Sequence, residues 1–157
     1  MLVALAIAAI PLLIIYRLKA NERGSDKFLK NLSVTLIGIL LIQIVLGTQV
    51  REQIDEISKS LQYTRRELWI GRLDNLFFIH RSFSWFVLFA CLLLWWKARP
   101  YEMLQKRAML ILVSVLATIA LGTIMAFLHI PALAQPLHLL FASILMLTVF
   151  AFRLGLK

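Results

Sequence analysis

Two histidines in apolar surroundings, His80 and His138, are the residues whose type and spacing indicate chemistry most clearly. Polar groups inside long apolar tracts are energetically costly, so they are often functional. His80 stands about five or six residues into its tract, roughly 8 to 9 Å along a helix axis, and His138 stands about one turn or less past Pro136. Two neutral imidazoles that face each other at one depth are what six-coordinate haem iron requires. The alternative is that each histidine only forms hydrogen bonds between helices.

Both histidines belong to a short internal repeat. Leu46-Gly47-Thr48 precedes the tract that contains His80, and Leu121-Gly122-Thr123 precedes the tract that contains His138. Duplications of this kind are common in membrane folds. Because glycine has no side chain, Gly47 and Gly122 would let a flat macrocycle lie against the helix backbone, although close helix packing explains membrane glycines equally well.

Two arginines are candidates for binding the propionate groups of a haem. Arg81 directly follows His80 at membrane depth, where an unpaired guanidinium is costly, so we expect a propionate or another helix to meet it. Arg51 stands at the outer boundary of the preceding tract, where an arginine often only extends its charge towards water. A third histidine, His129, lies at the edge of its tract and is predicted to be interfacial rather than a ligand.

Membrane helices must position these residues. Of the 157 residues, 61% are hydrophobic and 16% are charged, whereas soluble domains carry about 25% charged residues. Unbroken apolar tracts without period-two alternation favour helices over barrel strands. Five tracts match or approach the roughly 20 residues that cross a bilayer, and they cover residues 2–16, 32–50, 76–96, 108–130 and 137–152. The sequence therefore predicts an all-α integral membrane protein with five transmembrane helices, and it excludes soluble enzyme folds.

The basic residues predict the orientation of the chain. Its net charge is +9, but the 17 lysines and arginines lie almost entirely between the spans, so we expect membrane lipid and no nucleic acid as a partner. Eleven of them lie in residues 17–30, 97–107 and 153–157, and five lie in residues 51–75. Because cytoplasmic loops carry the basic excess, the N-terminus and loop 51–75 are predicted to be periplasmic. The C-terminus is predicted to be cytoplasmic, in a bacterial inner membrane.

The remaining polar features are assigned structural roles. Loop 51–75 has apolar residues at helical spacing, which predicts an amphipathic helix that lies on the outer surface and covers the histidine site; they are Ile54, Ile57, Leu61 and Leu68. Cys91 is the single cysteine, which excludes an internal disulfide and a thiolate metal cluster. Gln43, Gln49 and Gln135 are predicted to form interhelical or interfacial hydrogen bonds.

Four segments resemble, in order and spacing, the C-terminal half of haem A synthase, the Cox15/CtaA family. They are Gly47-Thr48-Gln49-Val50-Arg51-Glu52, Ile79-His80-Arg81-Ser82-Phe83-Ser84, Leu121-Gly122-Thr123-Ile124-Met125 and Pro136-Leu137-His138-Leu139-Leu140-Phe141-Ala142. In that family two four-helix halves are related by pseudo-symmetry, and the histidine pair of the C-terminal half ligates a haem b used in electron transfer. The N-terminal half is where haem O is oxidised at its C8 methyl group. The resemblance therefore implies that His80 and His138 are haem b ligands.

The resemblance also implies a domain organisation. Residues 1–18 would be a transmembrane helix at the end of a missing N-terminal half, 19–30 a cytoplasmic loop, and 31–157 a four-helix haem-binding domain with outer loop 51–75. The family's other histidine pair, acidic catalytic residue and paired loop cysteines have no counterpart in this sequence. Because Met1 opens directly in an apolar tract, we expect a fragment, with haem O bound by the missing half; a separate partner polypeptide is the alternative.

Two classes of function follow. In the first, the chain is the haem b half of an oxidoreductase that converts haem O to haem A for cytochrome oxidase. In the second, it is a stand-alone haem-binding membrane protein that acts as an electron carrier or oxidase assembly factor without catalysis of its own. Symmetric assembly of two copies as a homo-oligomer is an open alternative source of the second site.

Overall fold

The computed structural model describes Ile10 and residues 26–156 of the chain. These residues form four long helices, each long and apolar enough to cross a membrane. The helices are α1 Lys27–Ser60, α2 Asn75–Ala98, α3 Glu102–Phe127 and α4 Ala134–Leu154, with 3-10 turns at Arg66–Leu68 and Ile70–Arg72. The protein is therefore a multi-pass membrane protein. The span predicted at residues 2–16 lies, apart from Ile10, outside the described residues, so the five-helix count stays a prediction.

The four helices form a bundle closed into a ring. Each helix packs against its neighbours in sequence, and α1 also packs against α4. As a result, α2 and α4 occupy diagonal corners of the bundle. Buried apolar residues from all four helices form the core, with Leu36, Val87, Ile111 and Val149 among them. Large apolar side chains also cover the outward faces, which suits helices surrounded by lipid.

Side-chain caps determine where two of the helices begin. The Asp26 carboxylate accepts hydrogen bonds from two backbone N–H groups at 2.8 and 3.2 Å. Helix α1 therefore begins at Lys27, and residues 27–30, predicted as part of a cytoplasmic loop, are helical. Asp74 caps α2, since its carboxylate accepts from the backbone N–H of Leu76 at 2.8 Å.

The predicted outer loop 51–75 is partly a continuation of α1. This helix runs for 34 residues to Ser60, a length of about 51 Å against a bilayer core of about 30 Å. Ile54 and Ile57 are partly buried along one side of the extension. Their spacing thus belongs to the continuing helix and not to a separate helix on the membrane surface. The physical reason is that neither proline nor glycine interrupts the backbone hydrogen bonds between residues 48 and 70.

The remainder of this segment contacts the loop between α3 and α4, at the end of the bundle that is predicted to be the outer one. The Trp69 side chain is buried, and its indole N–H donates to the carbonyl oxygen of Thr64 at 2.9 Å. Arg66 lies over the Trp69 ring at 5.5 Å from its centroid, and its guanidinium donates to the carbonyl oxygen of Ile130 at 3.5 Å. Ile130 belongs to the loop between α3 and α4, so this bond joins the two outer loops.

Polar contacts tie the helix ends together at the opposite end of the bundle. The Lys97 ammonium lies 5.4 Å from the centroid of the Phe28 ring. The Tyr101 hydroxyl lies 3.5 Å from the carboxylate of Asp26. The basic residues that flank the spans therefore gather at the end that holds the start of α1 and the end of α2.

We expect this basic end to face the cytoplasm, because cytoplasmic loops carry the excess of lysine and arginine. An alkaline phosphatase fusion, which is active only outside the cytoplasm, should be silent at Lys157 and active at Ser60. The opposite activities would invert the orientation and move both histidines to the cytoplasmic side.

Candidate functional site

His80 and His138 lie at similar levels of the bundle on the two diagonal helices. His80 is the sixth residue of α2 and His138 is the fifth residue of α4. Both side chains are partly buried. The structure thus places the predicted pair at the same end of the bundle, the end that is predicted to be the outer one. Ligation of a haem iron by this pair stays a prediction.

Each histidine ring packs against a glycine of the preceding helix. A Cβ atom built on Gly47 would lie 3.0 Å from Cε1 of His80. A Cβ atom built on Gly122 would lie 3.4 Å from Cε1 of His138. The imidazole rings therefore occupy the space beside the two glycines, where a macrocycle was predicted to lie. A side chain at Gly47 would press on the His80 ring, whereas a Cβ atom at Gly122 would reach ordinary van der Waals contact with the His138 ring.

The internal repeat extends along both helical hairpins. When the first hairpin is aligned with the second, Gly47 corresponds to Gly122, 75 residues later, and His80 corresponds to His138, 58 residues later. With these two offsets, residues that are buried in the first hairpin correspond to residues that are buried in the second. The pairs are Leu29 with Leu104, Ser33 with Ala108, Leu36 with Ile111, Leu40 with Val115, Val87 with Leu145, Cys91 with Val149, Leu94 with Phe152 and Ala98 with Leu156. The short Leu-Gly-Thr match is therefore part of a longer structural repeat, in which the two helical hairpins bury equivalent positions.

The backbone of α3 orients His138. Its Nδ1 atom lies 2.9 Å from the carbonyl oxygen of Thr118. Because a carbonyl oxygen can only accept a hydrogen bond, Nδ1 carries the ring proton and the lone pair of Nε2 is free to bind a metal. This division of roles between the two ring nitrogens is the usual arrangement for a metal-binding histidine.

His80 is held through its backbone. The side-chain amide of Gln43 donates to the carbonyl oxygen of His80 at 3.1 Å, which confirms the predicted interhelical role of this glutamine. The Nδ1 atom of His80 is buried and has no hydrogen-bond partner within the described part of the chain. The two histidines thus occupy equivalent places in the repeat, and a hydrogen bond to the ring is found only for His138 among the described residues.

Comparison with known proteins identifies the family. Residues 1–150 match the COX15-CtaA family, which is described as a cytochrome oxidase assembly protein. The chain belongs to the Cox15/CtaA family. This membership confirms the family that the four segments indicate, and the matched range also includes the first predicted span. Comparison of this Cox15/CtaA chain with curated proteins and with solved structures gave no match.

The two arginines of this Cox15/CtaA chain lie at the outer end of the bundle. Arg81 is exposed, and its guanidinium lies 5.9 Å from the centroid of the Phe127 ring at the end of α3. Arg51 lies 3.8 Å from the carboxylate of Asp55 in an exposed pair, a type of contact that contributes about 0.3–0.5 kcal/mol. Such a weak pair leaves Arg51 available to another anion. For both arginines, binding of a propionate stays a prediction.

His129 lies apart from the pair, as the sequence predicts. It is exposed in the loop after α3, with a left-handed backbone angle φ of 54°, and Ile130 follows with φ of 57°. The span predicted to reach residue 130 therefore ends as a helix at Phe127.

His80 and His138 together suit a metal whose remaining ligands come from a cofactor and not from the protein. Across residues 26–156 no group of three or more His, Cys, Asp or Glu side chains could hold a metal ion. Two imidazoles alone do not complete the four-coordinate sites typical of zinc. They do complete the coordination of an iron whose other four ligands are porphyrin nitrogens. The residues present in this Cox15/CtaA protein therefore fit a haem.

Proposed function

We propose that this chain is the haem b-binding C-terminal half of haem A synthase. The complete enzyme would be an inner-membrane oxidoreductase that converts the C8 methyl group of haem O to the formyl group of haem A for cytochrome oxidase assembly. The observation that carries the proposal is the diagonal pair His80 and His138, each packed on a glycine, in a member of the Cox15/CtaA family. When bound, haem b supplies a one-electron carrier.

The side chains of this bundle bind and orient the group. His138 would ligate the iron through Nε2, since its Nδ1 is engaged by the carbonyl oxygen of Thr118. His80 would ligate from the diagonal helix, with Gly47 providing room for its ring.

We infer that the methyl oxidation takes place in another part of the enzyme. With His80 and His138 used as ligands, the exposed His129 is the only histidine that remains in the 157 residues. No aspartate or glutamate lies within residues 32–50, 76–96, 108–130 or 137–152. Oxidation of an unactivated methyl group requires a second porphyrin site with a group that handles protons near the reacting carbon. We therefore assign electron transfer to this chain and catalysis to an N-terminal half.

Residues 1–157 expressed alone are expected to bind haem and to make no haem A, because they hold one histidine pair and no carboxylate inside these spans. The test uses cells that produce haem O and lack their own synthase. They express the chain alone or with the N-terminal half of a Cox15/CtaA protein, and extracted haems are separated by chromatography.

Haem A that forms only in the presence of the N-terminal half supports the proposal. A haem A peak from residues 1–157 alone contradicts it and favours symmetric assembly of two copies. Bound haem b without haem A under either condition favours the stand-alone electron carrier or assembly factor. A His80→Ala chain co-expressed with the N-terminal half is the control that links product formation to the proposed ligand pair.

A further inference from the structure

A glycine uncovers one backbone carbonyl oxygen in each helical hairpin. In an α-helix the N–H group of a residue bonds to the carbonyl oxygen four residues earlier, and the side chain of that residue covers the same earlier turn. Gly47 and Gly122 lie four residues after Gln43 and Thr118. Because glycine has no side chain, these two carbonyl oxygens stay accessible, and the second lone pair of each can accept another hydrogen bond.

In the second hairpin the uncovered carbonyl oxygen binds the histidine ring. The Nδ1 atom of His138 lies 2.9 Å from the carbonyl oxygen of Thr118. The same nitrogen lies 3.7 Å from the position of a Cβ atom built on Gly122. The ring therefore uses the gap that the glycine leaves, and through it reaches the carbonyl oxygen one turn earlier.

In the first hairpin the ring of His80 lies in the equivalent gap. Its Nδ1 atom lies 3.6 Å from a Cβ atom built on Gly47, nearly the distance found in the second hairpin. The backbone carbonyl of Gln43 is close enough to the ring for a hydrogen-bonding interaction. Nδ1 is buried, however, and has no completed hydrogen bond among the residues that the structure describes. Buried polar atoms are strongly favoured to pair, and the repeat indicates this carbonyl as the partner.

The side chain of Gln43 holds the backbone of His80 beside the same turn. Its amide nitrogen donates to the carbonyl oxygen of His80 at 3.1 Å. This contact joins α2 to α1 at the level of the uncovered carbonyl. The ring therefore needs only to turn about its own side-chain bonds to complete the hydrogen bond.

We propose that the backbone carbonyl oxygen of Gln43 positions His80, by accepting the Nδ1 proton through the gap at Gly47 when Nε2 binds haem iron. This inference rests on the proposed function. An imidazole that binds a metal through Nε2 carries its proton on Nδ1, and an acceptor there fixes the ring plane and makes the nitrogen ligand more basic. A more basic ligand favours ferric over ferrous iron, so this carbonyl lowers the reduction potential.

The test weakens this carbonyl in the full haem-loaded chain. Replacing Ile44 by its α-hydroxy analogue turns the carbonyl of Gln43 into an ester carbonyl, which is a weaker hydrogen-bond acceptor. The α-hydroxy analogue of Val45 is the matched control. It also removes one backbone N–H of α1, but it weakens the carbonyl of Ile44, which points to another side of the helix. The measurements are the midpoint potential, the rate of haem loss and the rate at which the ring Nδ1 protons of the ferrous protein exchange with solvent.

The Ile44 analogue is expected to lose haem about 10-fold faster, to have a higher midpoint potential and to exchange the His80 ring proton faster. Wild-type values in this variant, or equal changes in the Val45 analogue, overturn the inference. If the Ile44 analogue does not fold, the wild-type protein decides, because the ring protons of His80 and His138 should exchange at similarly slow rates. Much faster exchange at His80 overturns the inference. A wild-type chain without a bis-histidine haem contradicts the proposed function itself, whatever the variants do.

Discussion

His80→Ala and His138→Ala proteins are expected to lose the sharp visible bands of a reduced bis-imidazole haem. Each substitution removes one of two axial ligands, and no other histidine lies among the described residues of the bundle interior. The loss of bound haem should exceed the roughly 10- to 100-fold effect of removing a hydrogen-bond partner of a ligand. Haem that remains should be high-spin and should bind carbon monoxide. Difference spectra and the haem content of the purified proteins measure both effects.

His129→Ala is the matched control for this pair. His129 is exposed in the loop between α3 and α4, so its removal should leave the spectrum nearly unchanged. If His129→Ala abolishes the spectrum and His138→Ala does not, the assignment of the second ligand is wrong. If all three variants retain the wild-type spectrum, the histidine pair is not the haem site.

Gly47→Val is expected to reduce haem binding nearly as strongly as His80→Ala. A Cβ atom at this position would lie only 3.0 Å from Cε1 of His80, and valine adds two methyl groups to that atom. Overpacking a tightly packed site costs about 1–3 kcal/mol, and here the ring that must move is the ligand. The haem content per folded protein is the measurement, with the helical content checked by circular dichroism.

Gly38→Val is the control for this substitution. Gly38 also lies in α1, but a Cβ atom built there would meet nothing within 4 Å among the described atoms. The Gly38→Val protein should fold and bind haem. Gly122→Val should have a smaller effect than Gly47→Val, since the corresponding distance to His138 is 3.4 Å. Equal haem loss in Gly38→Val and Gly47→Val would show that the glycines matter for helix packing and not for the rings.

Hydropathy predicted the four spans of the described region but not the ends of every helix. The cap of α2, Asp74, stands immediately before an apolar tract. The cap of α1, Asp26, is less visible because residues 27–31, three of them polar, separate it from the apolar tract of that helix. The extension of α1 to Ser60 was missed for a related reason. Apolar residues at helical spacing are equally compatible with a helix on the membrane surface and with a continuing helix.

The site was predictable to the extent that the repeat is visible in the sequence. The order of glycine and histidine on successive helices indicated which residues share a level. The contact of Gly47 with the ring of His80 was not predictable, because glycine spacing does not distinguish room for a cofactor from room for a side chain. The partner of Gln43 was likewise hidden, since an amide in an apolar span indicates a hydrogen bond without naming its acceptor.

The closed ring of helices has a consequence for the order of assembly. The contact of Gly47 with His80 lies within the hairpin of α1 and α2, and that of Gly122 with His138 lies within the hairpin of α3 and α4. Each can form as soon as two consecutive helices have left the ribosome and entered the bilayer, because local contacts require little loop closure. The pairing of the histidines also depends on the packing of α1 against α4, the elements most distant in sequence. On the proposed function, a nascent chain that lacks α4 has His80 in place with no opposing ligand, and haem capture is a late step of biogenesis.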